Sequence, residues 1–497
     1  MTAMFTTFLP DENATISFAN DMALILKRGD LITLYGDLGA GKSTFARAVI
    51  RALADDNEFD VPSPTFTLVQ QYDDIRLATT HADLYRIAAA EEVYELGLIE
   101  ALQTGIVMVE WPEKAKSLLP RASFAISLTQ HEQGRLLRIN AQEEGFKRLE
   151  RTIIIRQFLT SNGRSMMRRH YLAGDASPRR YELIEDHSHY EILMDAEESE
   201  VANNTVEDYV HKAHLATNIA TFVALDRLIR DHGFLAPEIR AADLENRLLI
   251  LEDLGQERIC DEYRQPIEKR YLAAIELLAN FQQIKWPKHK EWPDITLNLE
   301  NLDQGIIKAE LSLVLDWYLP YKTKNKASVE TREAFYAAWH PYLESIETGE
   351  TSLVMRDYHA PNILWQNDRE GSNRIGLIDF QDALIGPTAY DVVSLSQDAR
   401  VTIGRELESR LLDRYIECRL SAARPFDVER FRLDYALMGL QRASKILGIF
   451  IRLDQRDGKS NYLDYLPTVE DYLKRNLEHP ALAGLQACYQ HCGLLDG

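Results

Sequence analysis

Two acids and an amide in the second half of the chain have the residue types and order that phosphoryl transfer requires. Asp357 and Asn362 lie five residues apart after one apolar run, and Asp379 follows another. A carboxylate can take the proton of an attacking hydroxyl, while an amide oxygen and a second carboxylate can hold Mg²⁺. We predict that Asp357 is a catalytic base and that Asn362 and Asp379 are metal ligands in an ATP-dependent reaction.

A glycine-rich stretch near the start of the chain predicts a second nucleotide site. It matches G-x-x-x-x-G-K-[ST] and lies between a predicted strand, residues 31–35, and an apolar-periodic helix. Glycines let backbone N–H groups turn toward phosphate, the lysine reaches the β- and γ-phosphates, and the serine can ligate Mg²⁺. The predicted ATP contacts are Gly36, Gly39, Gly41, Lys42, Ser43 and Thr44.

Three patterns downstream supply polar groups for the same site. Thr65 lies in a hydroxyl-rich segment of the kind that can sense a γ-phosphate. His81, Asp83 and Tyr85 alternate along a predicted strand, which puts them on one face. A further apolar strand ends at Glu110, the usual position of a carboxylate near Mg²⁺.

The elements that must position these groups divide the chain into two predicted domains, 1–145 and 151–497. The first has predicted helices over 11–28 and 90–102 and a hairpin over 124–139. The segment 141–151 is polar without apolar periodicity and is predicted to be a linker. The second domain has short strands followed by predicted helices at 218–232, 269–284, 310–322, 332–346 and 431–453.

Composition excludes several functional classes. The 497 residues are 45% hydrophobic and 27% charged, as in ordinary soluble globular proteins, and the apolar runs are too short to span a bilayer. The net charge of −21 argues against strong direct nucleic-acid binding. The first residues lack the pattern of a signal peptide, and the four cysteines suggest no disulfide framework, so a cytoplasmic protein is expected.

The segments GDLGAGKST, SPTF, HADLYR and VEWPEKA, within residues 5–145, resemble the TsaE family. TsaE is the small ATPase subunit of the bacterial machinery that installs threonylcarbamoyl on a tRNA adenosine. The resemblance implies that Lys42 and Ser43 bind ATP and Mg²⁺ and that Glu110 helps to hold the metal. It also implies that Thr65 and Asp83 act around the γ-phosphate, that Trp111 lies near the base, and that the domain docks on the transferase subunits.

Residues 151–490 resemble the aminoglycoside and choline phosphotransferase superfamily through AGDASPRRY, ILMDA, LLILEDLG, RDYHAPNILW and GLIDFQDALIGPTAYD. Within it they are most similar to kinases that phosphorylate N-acetylmuramate and N-acetylglucosamine at the anomeric hydroxyl. The implied fold is an α/β P-loop domain followed by a two-lobed α+β protein-kinase-like phosphotransferase domain. The implied ATP contacts include Ser177 in the phosphate-covering loop and Glu252 beside the adenine hinge.

The sequence departs from kinases at one position, because the phosphate-binding lysine is absent and Met194 stands near its place. Arg179 or Arg180 is a candidate substitute cation. The alternatives left open are a kinase of choline or of an aminoglycoside, a binding pseudokinase, and a first domain that acts as a nucleotide-gated assembly factor.

Overall fold

The computed structural model describes residues 2–115, 118–172, 179–186, 189–197, 218–422 and 424–495. They form two compact units. One contains the described residues up to 197 together with 239–252, and the other contains residues 218–238 and the described residues from 253 onward. Each unit is described by itself below.

The first unit begins with a seven-stranded mixed sheet in the order β1-β7-β6-β2-β5-β4-β3. Its central strand β2 runs parallel to both neighbours, so its carboxyl end opens directly into the glycine-rich loop. The strands are β1 (Thr2–Leu9), β2 (Leu31–Tyr35), β3 (Val69–Tyr72), β4 (Thr79–Asp83), β5 (Ile106–Glu110), β6 (Phe124–His131) and β7 (Gly134–Gln142).

Helices cover this sheet and bury its apolar side chains in two clusters. The α-helices are α1 (Glu12–Ile25), α2 (Lys42–Ala54) and α3 (Leu98–Ala101), and the 3₁₀ helices are Ala90–Leu96 and Pro112–Ala115. Asp11 caps α1 by accepting a hydrogen bond from the Ala14 backbone N–H at 2.8 Å, close to the predicted start.

Two sequence-based expectations in this part are wrong in detail. The single helix predicted over 90–102 is a 3₁₀ helix and a short α-helix, which are separated by Gly97 in the left-handed region. Tyr85 does not share the strand of His81 and Asp83, because β4 ends at Asp83 and the chain turns there.

The predicted linker over 141–151 is also wrong, because most of it is helical. Helix α4 (Glu143–Ser161) starts one residue after β7 and continues through the segment. Leu149 belongs to the core of the seven-stranded sheet, while Ile155 and Leu159 belong to the core of the next sheet. The helix therefore contributes to both cores, its first part to one and its last part to the other.

That next sheet is antiparallel and five-stranded, in the order β11-β12-β10-β9-β8. Its strands are β8 (Arg168–Tyr171), β9 (Arg180–Asp186), β10 (His189–Asp195), β11 (Ile239–Asp243) and β12 (Leu248–Glu252). This is the sheet half of a two-lobed α+β kinase-like domain, as predicted.

The second unit is mainly helical. Its helices are α5 (Ile219–Asp231), α6 (Glu268–Phe281), α7 (Gln304–Leu313), α8 (Leu319–Thr323), α9 (Val329–Glu347), α10 (Ala389–Ser396), α11 (Arg405–Leu420), α12 (Val428–Asp457), α13 (Leu466–Leu477) and α14 (Ala483–His491). Its strand pairs are β13 (His289–Glu291) with β14 (Thr296–Asn298), β15 (Thr351–Val354) with β18 (Leu384–Pro387), and β16 (Ile363–Trp365) with β17 (Ile375–Leu377). The predicted helices at 332–346 and 431–453 lie inside α9 and α12.

Among the residues that the structure describes, none of the helices is long and apolar enough to cross a membrane.

Candidate functional site

The glycine-rich loop forms a cradle between β2 and α2. At two positions of this loop only glycine fits the backbone conformation and the space available. Gly36 and Gly41 have φ angles of 141° and 103°, in the region that side chains rarely adopt. A Cβ at Gly36 would lie 2.3 Å from the Leu128 carbonyl oxygen, and one at Gly41 would lie 2.7 Å from Nε of Arg135. The backbone can therefore turn its N–H groups inward at the start of α2, where a helix favours anions.

A cavity of about 330 Å³ opens at this loop. It is lined by most of the predicted ATP-site residues, together with Arg135 from β7. The lining residues are Leu38, Gly39, Gly41, Lys42, Ser43, Thr44, Thr65, Asp83, Tyr85, Arg86, Glu110, Trp111 and Arg135. Gly36 lies at the base of the loop, outside this lining.

Lys42 is held over the cradle by the loop itself. Its Nζ donates to the carbonyl oxygens of Gly36 and Asp37, at 2.7 and 3.0 Å, and lies 3.8 Å from the centre of the Trp111 ring. Burial lowers the pKa of the Lys42 ammonium, and the carboxylate of Glu110 acts in the opposite direction. The cation is thus preorganised beside the loop that would carry the phosphates.

Ser43, Glu110 and His81 form a hydrogen-bonded chain. Oγ of Ser43 donates to Oε2 of Glu110 at 2.9 Å, and Oε1 of Glu110 lies 3.0 Å from Nε2 of His81. Glu110 and His81 are both buried. The sequence pattern placed His81 on one strand face with Asp83 but indicated no particular partner for it, and the structure supplies that partner in Glu110.

Thr65 and Asp83 are brought together at the rim of the same cavity. Oγ1 of Thr65 donates to Oδ2 of Asp83 at 3.0 Å and lies 2.7 Å from the Ser63 hydroxyl. The other Asp83 oxygen accepts from the Tyr85 backbone N–H at 2.9 Å. The two residues predicted to act around the γ-phosphate therefore lie in contact, and their action on a γ-phosphate stays a prediction.

Arg135 is the residue of this site that sequence reasoning missed. It comes from β7, almost a hundred residues after the loop, and its Nε donates to the Ala40 carbonyl oxygen at 2.9 Å. No local pattern marks it, because only sheet pairing brings β7 to the loop.

The second predicted site lies in the mainly helical unit, where Asn362 joins the two acids. The Asn362 amide Nδ2 is 3.1 Å from the Asp357 carbonyl oxygen and 3.3 Å from Oδ2 of Asp379. Gln381 donates to the other Asp379 oxygen at 2.8 Å. An amide and a carboxylate side by side offer the oxygen ligands that Mg²⁺ takes in company with nucleotide phosphates, so the residues fit the predicted metal.

The backbone is strained at both ends of this cluster. Arg356 and Asp379 have φ angles of 68° and 60°, uncommon for residues with a side chain. Asp391 holds the first strained residue, because its carboxylate accepts from the backbone N–H groups of Met355 and Arg356 at 2.6 and 3.0 Å. Burial raises the pKa of Asp391 to about 7. These contacts give Asp391 a structural role in holding the loop.

A buried charge network surrounds the Arg356 side chain. Its guanidinium pairs with Glu310, whose carboxylate also accepts from Lys445 at 2.7 Å and from Gln441 at 2.6 Å. Burial acts to raise the pKa of Glu310, but the charges of Lys445 and Arg356 prevail and lower it to about 2. The negative charge of Glu310 thus balances the positive charge of the buried Arg356 side chain.

Asp357 itself remains accessible, with 42% of its side chain exposed. Its partial burial acts to raise the pKa, but nearby cations, Lys445 and Arg442 among them, keep the pKa below its ordinary value. Asp357 is therefore ionised at neutral pH, as a proton acceptor must be.

His359 lies beside Asp357, with Nε2 at 3.9 Å from Oδ1 of that residue. The same Nε2 is 3.2 Å from Nη1 of Arg400. Burial lowers the pKa of His359 to about 4, so the imidazole is neutral at pH 7.

The remaining predicted ATP contacts belong to the other unit. Arg180 is exposed at the start of β9, in register with Asp195, and Glu252 is the last residue of β12, in register with Glu191. Met194 is fully buried in β10. Ser177 lies outside the described residues. The nucleotide-binding roles of Arg180, Ser177 and Glu252 stay predictions.

Comparison with known proteins divides the chain into the same two regions. The family model of the threonylcarbamoyl adenosine biosynthesis protein TsaE matches residues 9–137. The family model of the phosphotransferase enzyme family matches residues 170–431, which are more than half of the chain. The chain belongs to the phosphotransferase enzyme family and carries a TsaE domain ahead of it. The predicted enzyme classes, an ATPase and a phosphotransferase, are thereby confirmed.

Individual relatives divide between the same two regions. An N-acetylmuramate/N-acetylglucosamine kinase from Caulobacter vibrioides is 34% identical over 67% of this chain and 94% of its own length. A protein of the same name from Pseudomonas aeruginosa is 32% identical over 53% of this chain and 75% of its own length. The tRNA threonylcarbamoyladenosine biosynthesis protein TsaE from Rickettsia bellii is 41% identical over 24% of this chain and 84% of its own length.

Proposed function

We propose that this protein is bifunctional. Its TsaE domain hydrolyses ATP in support of threonylcarbamoyl modification of a tRNA adenosine, and its phosphotransferase domain phosphorylates an amino sugar. Both activities draw on cytoplasmic ATP with Mg²⁺. The observation that carries the kinase proposal is the ionised, accessible Asp357 next to the Asn362–Asp379 pair.

In the kinase reaction, Asp357 would accept the proton of the acceptor hydroxyl while the freed oxygen attacks the γ-phosphorus of ATP. A new oxygen–phosphorus bond forms, the bond to the β,γ-bridging oxygen breaks, and ADP leaves with that oxygen. Asn362 and Asp379 would hold Mg²⁺, which supplies positive charge toward the phosphates when bound. Orientation by the fixed loop accounts for much of the remaining rate gain.

The acceptor that we propose is the anomeric hydroxyl of N-acetylmuramate or N-acetylglucosamine, which implies a role in cell-wall recycling. Support for this choice comes from the relatives, two of which bear these sugars in their names.

In the TsaE domain, Lys42 would contact the β- and γ-phosphates, and Ser43 and Glu110 would hold Mg²⁺. Thr65 and Asp83 would act at the γ-phosphate, and Trp111 would lie near the base. We infer that the domain works docked on the tRNA threonylcarbamoyltransferase subunits, which would carry the tRNA, since the chain's net charge of −21 disfavours direct binding.

The kinase proposal is tested by incubating the full-length protein with Mg²⁺-ATP and one acceptor at a time. Phosphorus NMR would identify the product formed from each amino sugar, from choline and from an aminoglycoside. We expect an anomeric sugar phosphate. A phosphate found only on choline or the aminoglycoside would reject the sugar, and ATP binding without transfer to any acceptor would support the pseudokinase that the loss of the lysine near Met194 suggests.

The ATPase proposal is tested by measuring phosphate release with and without the transferase subunits. We expect turnover alone that rises with the subunits and yields modified tRNA. Modification that proceeds equally well with a non-hydrolysable ATP analogue would instead support a nucleotide-gated assembly factor.

A further inference from the structure

The side chain of Arg400 contacts His359, which in turn lies beside the proposed catalytic base Asp357. Nη1 of Arg400 is 3.2 Å from Nε2 of His359, and this imidazole nitrogen of His359 is 3.9 Å from Oδ1 of Asp357. Both distances start from the same imidazole atom. The Arg400 guanidinium nitrogen and the Asp357 carboxylate oxygen are therefore separated by no more than the sum of these two distances. One sugar ring with its substituents can span such a distance, so a single bound sugar can reach both groups.

The position of Arg400 is fixed by a buried aspartate. One oxygen of Asp398 accepts from the Arg400 backbone N–H at 2.8 Å, and the other accepts from the Ala360 backbone N–H at 2.8 Å. Asp398 is only 1% exposed. It therefore ties the segment that carries Arg400 directly to the loop that carries Asp357 and His359.

Three other cationic side chains close to this loop bind groups of the protein. Arg356 and Lys445 both pair with the buried Glu310, and Arg442 donates to the Arg356 carbonyl oxygen at 2.8 Å.

Arg400 is partly exposed, whereas Arg356 and Arg442 are buried. It has further interactions within the protein. A guanidinium nevertheless presents five N–H donors in a planar fork, and it can hold an imidazole and still meet an anion.

We propose that Arg400 binds a carboxylate on the acceptor sugar and so favours N-acetylmuramate over N-acetylglucosamine. The inference rests on the proposed amino-sugar kinase activity and deepens it. The two sugars differ in the lactyl ether of muramate, whose carboxylate is ionised at neutral pH. Guanidinium and carboxylate form charge-assisted, often bidentate hydrogen bonds, which are stronger than neutral ones.

The test compares kcat and KM for three acceptors: N-acetylmuramate, its uncharged methyl ester, and N-acetylglucosamine. The enzymes are the wild type, Arg400→Gln and Arg400→Lys. The matched control is Arg405→Gln, which makes the same chemical change at an exposed arginine paired with Glu478.

We expect Arg400→Gln to lower kcat/KM for N-acetylmuramate by about 10- to 100-fold, mostly through KM, as for a lost charge-assisted hydrogen bond. Turnover of the methyl ester and of N-acetylglucosamine should change by about threefold at most, which also shows that the variant is folded. Arg400→Lys should recover part of the loss, and Arg405→Gln should match the wild type.

An equal loss for all three acceptors would overturn the inference and assign Arg400 to the phosphoryl group or to the support of His359. Unchanged discrimination between the acid and its ester would overturn it as well. A wild-type enzyme that phosphorylates neither sugar would instead reject the proposed function, so the two failures are distinguishable.

Discussion

The two proposed phosphate-handling sites of this chain are built in opposite ways. At Gly36–Ser43 the cradle is made by consecutive residues, and its lysine is held by carbonyl oxygens six and five residues away. At Asp357 the loop is held by side chains distant in sequence, above all Glu310 and Asp391. A backbone cradle can be recognised from a short motif, whereas a loop supported by buried charges depends on the whole unit.

This comparison predicts that each site fails separately when its own reacting group is removed. Asp357→Asn should lower amino-sugar phosphorylation by about 10²- to 10⁴-fold, the usual contribution of a positioned base. ATP binding to the kinase domain should survive, because Asn362 and Asp379 are unchanged, and phosphate release by the TsaE domain should continue. Steady-state kinetics and nucleotide titration would check this, and full activity in Asp357→Asn would refute the kinase mechanism.

The converse change is Lys42→Ala. We expect ATP hydrolysis by the TsaE domain to fall by about 10²- to 10³-fold, since a preorganised charge at the phosphates is lost. Sugar phosphorylation should stay within about twofold, because none of its proposed groups contacts Lys42. Assays of both activities on one preparation would show this, and a folded variant that loses both would contradict independent sites.

The sequence predicted the residues that lie in local motifs, and it missed those that only the tertiary structure brings to the sites. The sequence predicted the loop residues and also Thr65, Asp83, Asn362 and Asp379, because each of them lies in a short motif. Arg135 and Glu310 were missed, since neither has a local pattern and only tertiary pairing gives them a role. Helix α4 was mistaken for a linker because its first half is mostly polar and contributes few apolar side chains to the first core.

The third prediction concerns the buried charges beneath Asp357. Glu310→Gln leaves Arg356 and Lys445 without their shared carboxylate, which should reduce the free energy of unfolding at pH 7 by about 3 kcal/mol. Denaturant unfolding with tryptophan fluorescence would measure it. The same change at the exposed Glu406, which lies in an i,i+4 pair with Arg410, is the matched control and should cost well under 1 kcal/mol.

The sign of the pH dependence provides an independent check on Glu310. Its folded pKa of about 2 lies below its ordinary 4.5, so its contribution is present above pH 4.5 and is lost as the pH falls toward 2. The difference in stability between wild type and Glu310→Gln should therefore shrink across that window. A difference that stays constant from pH 6 to pH 3 would show that Glu310 acts through packing rather than charge.

The smallest effect is expected where the TsaE domain meets the five-stranded sheet. Asp21 of α1 is 4% exposed and accepts two hydrogen bonds of 2.7 Å from Arg156 of α4, while Arg169 of β8 lies 3.4 Å away. Asp21→Asn keeps the shape but removes the charge, and should cost about 1–2 kcal/mol of unfolding free energy.

The distribution of that loss bears on the predicted boundary between 145 and 151. If α4 and Asp21 join the two sheets, Asp21→Asn should increase hydrogen exchange in both β2 and β9, whereas Asp73→Asn, at an exposed position of the same domain, should increase it in neither. Faster exchange confined to β2 would mean that the domains fold separately, as the sequence suggested. Faster exchange in both sheets would mean that the locally built phosphate cradle still depends on the kinase domain for its stability, even though its chemistry does not.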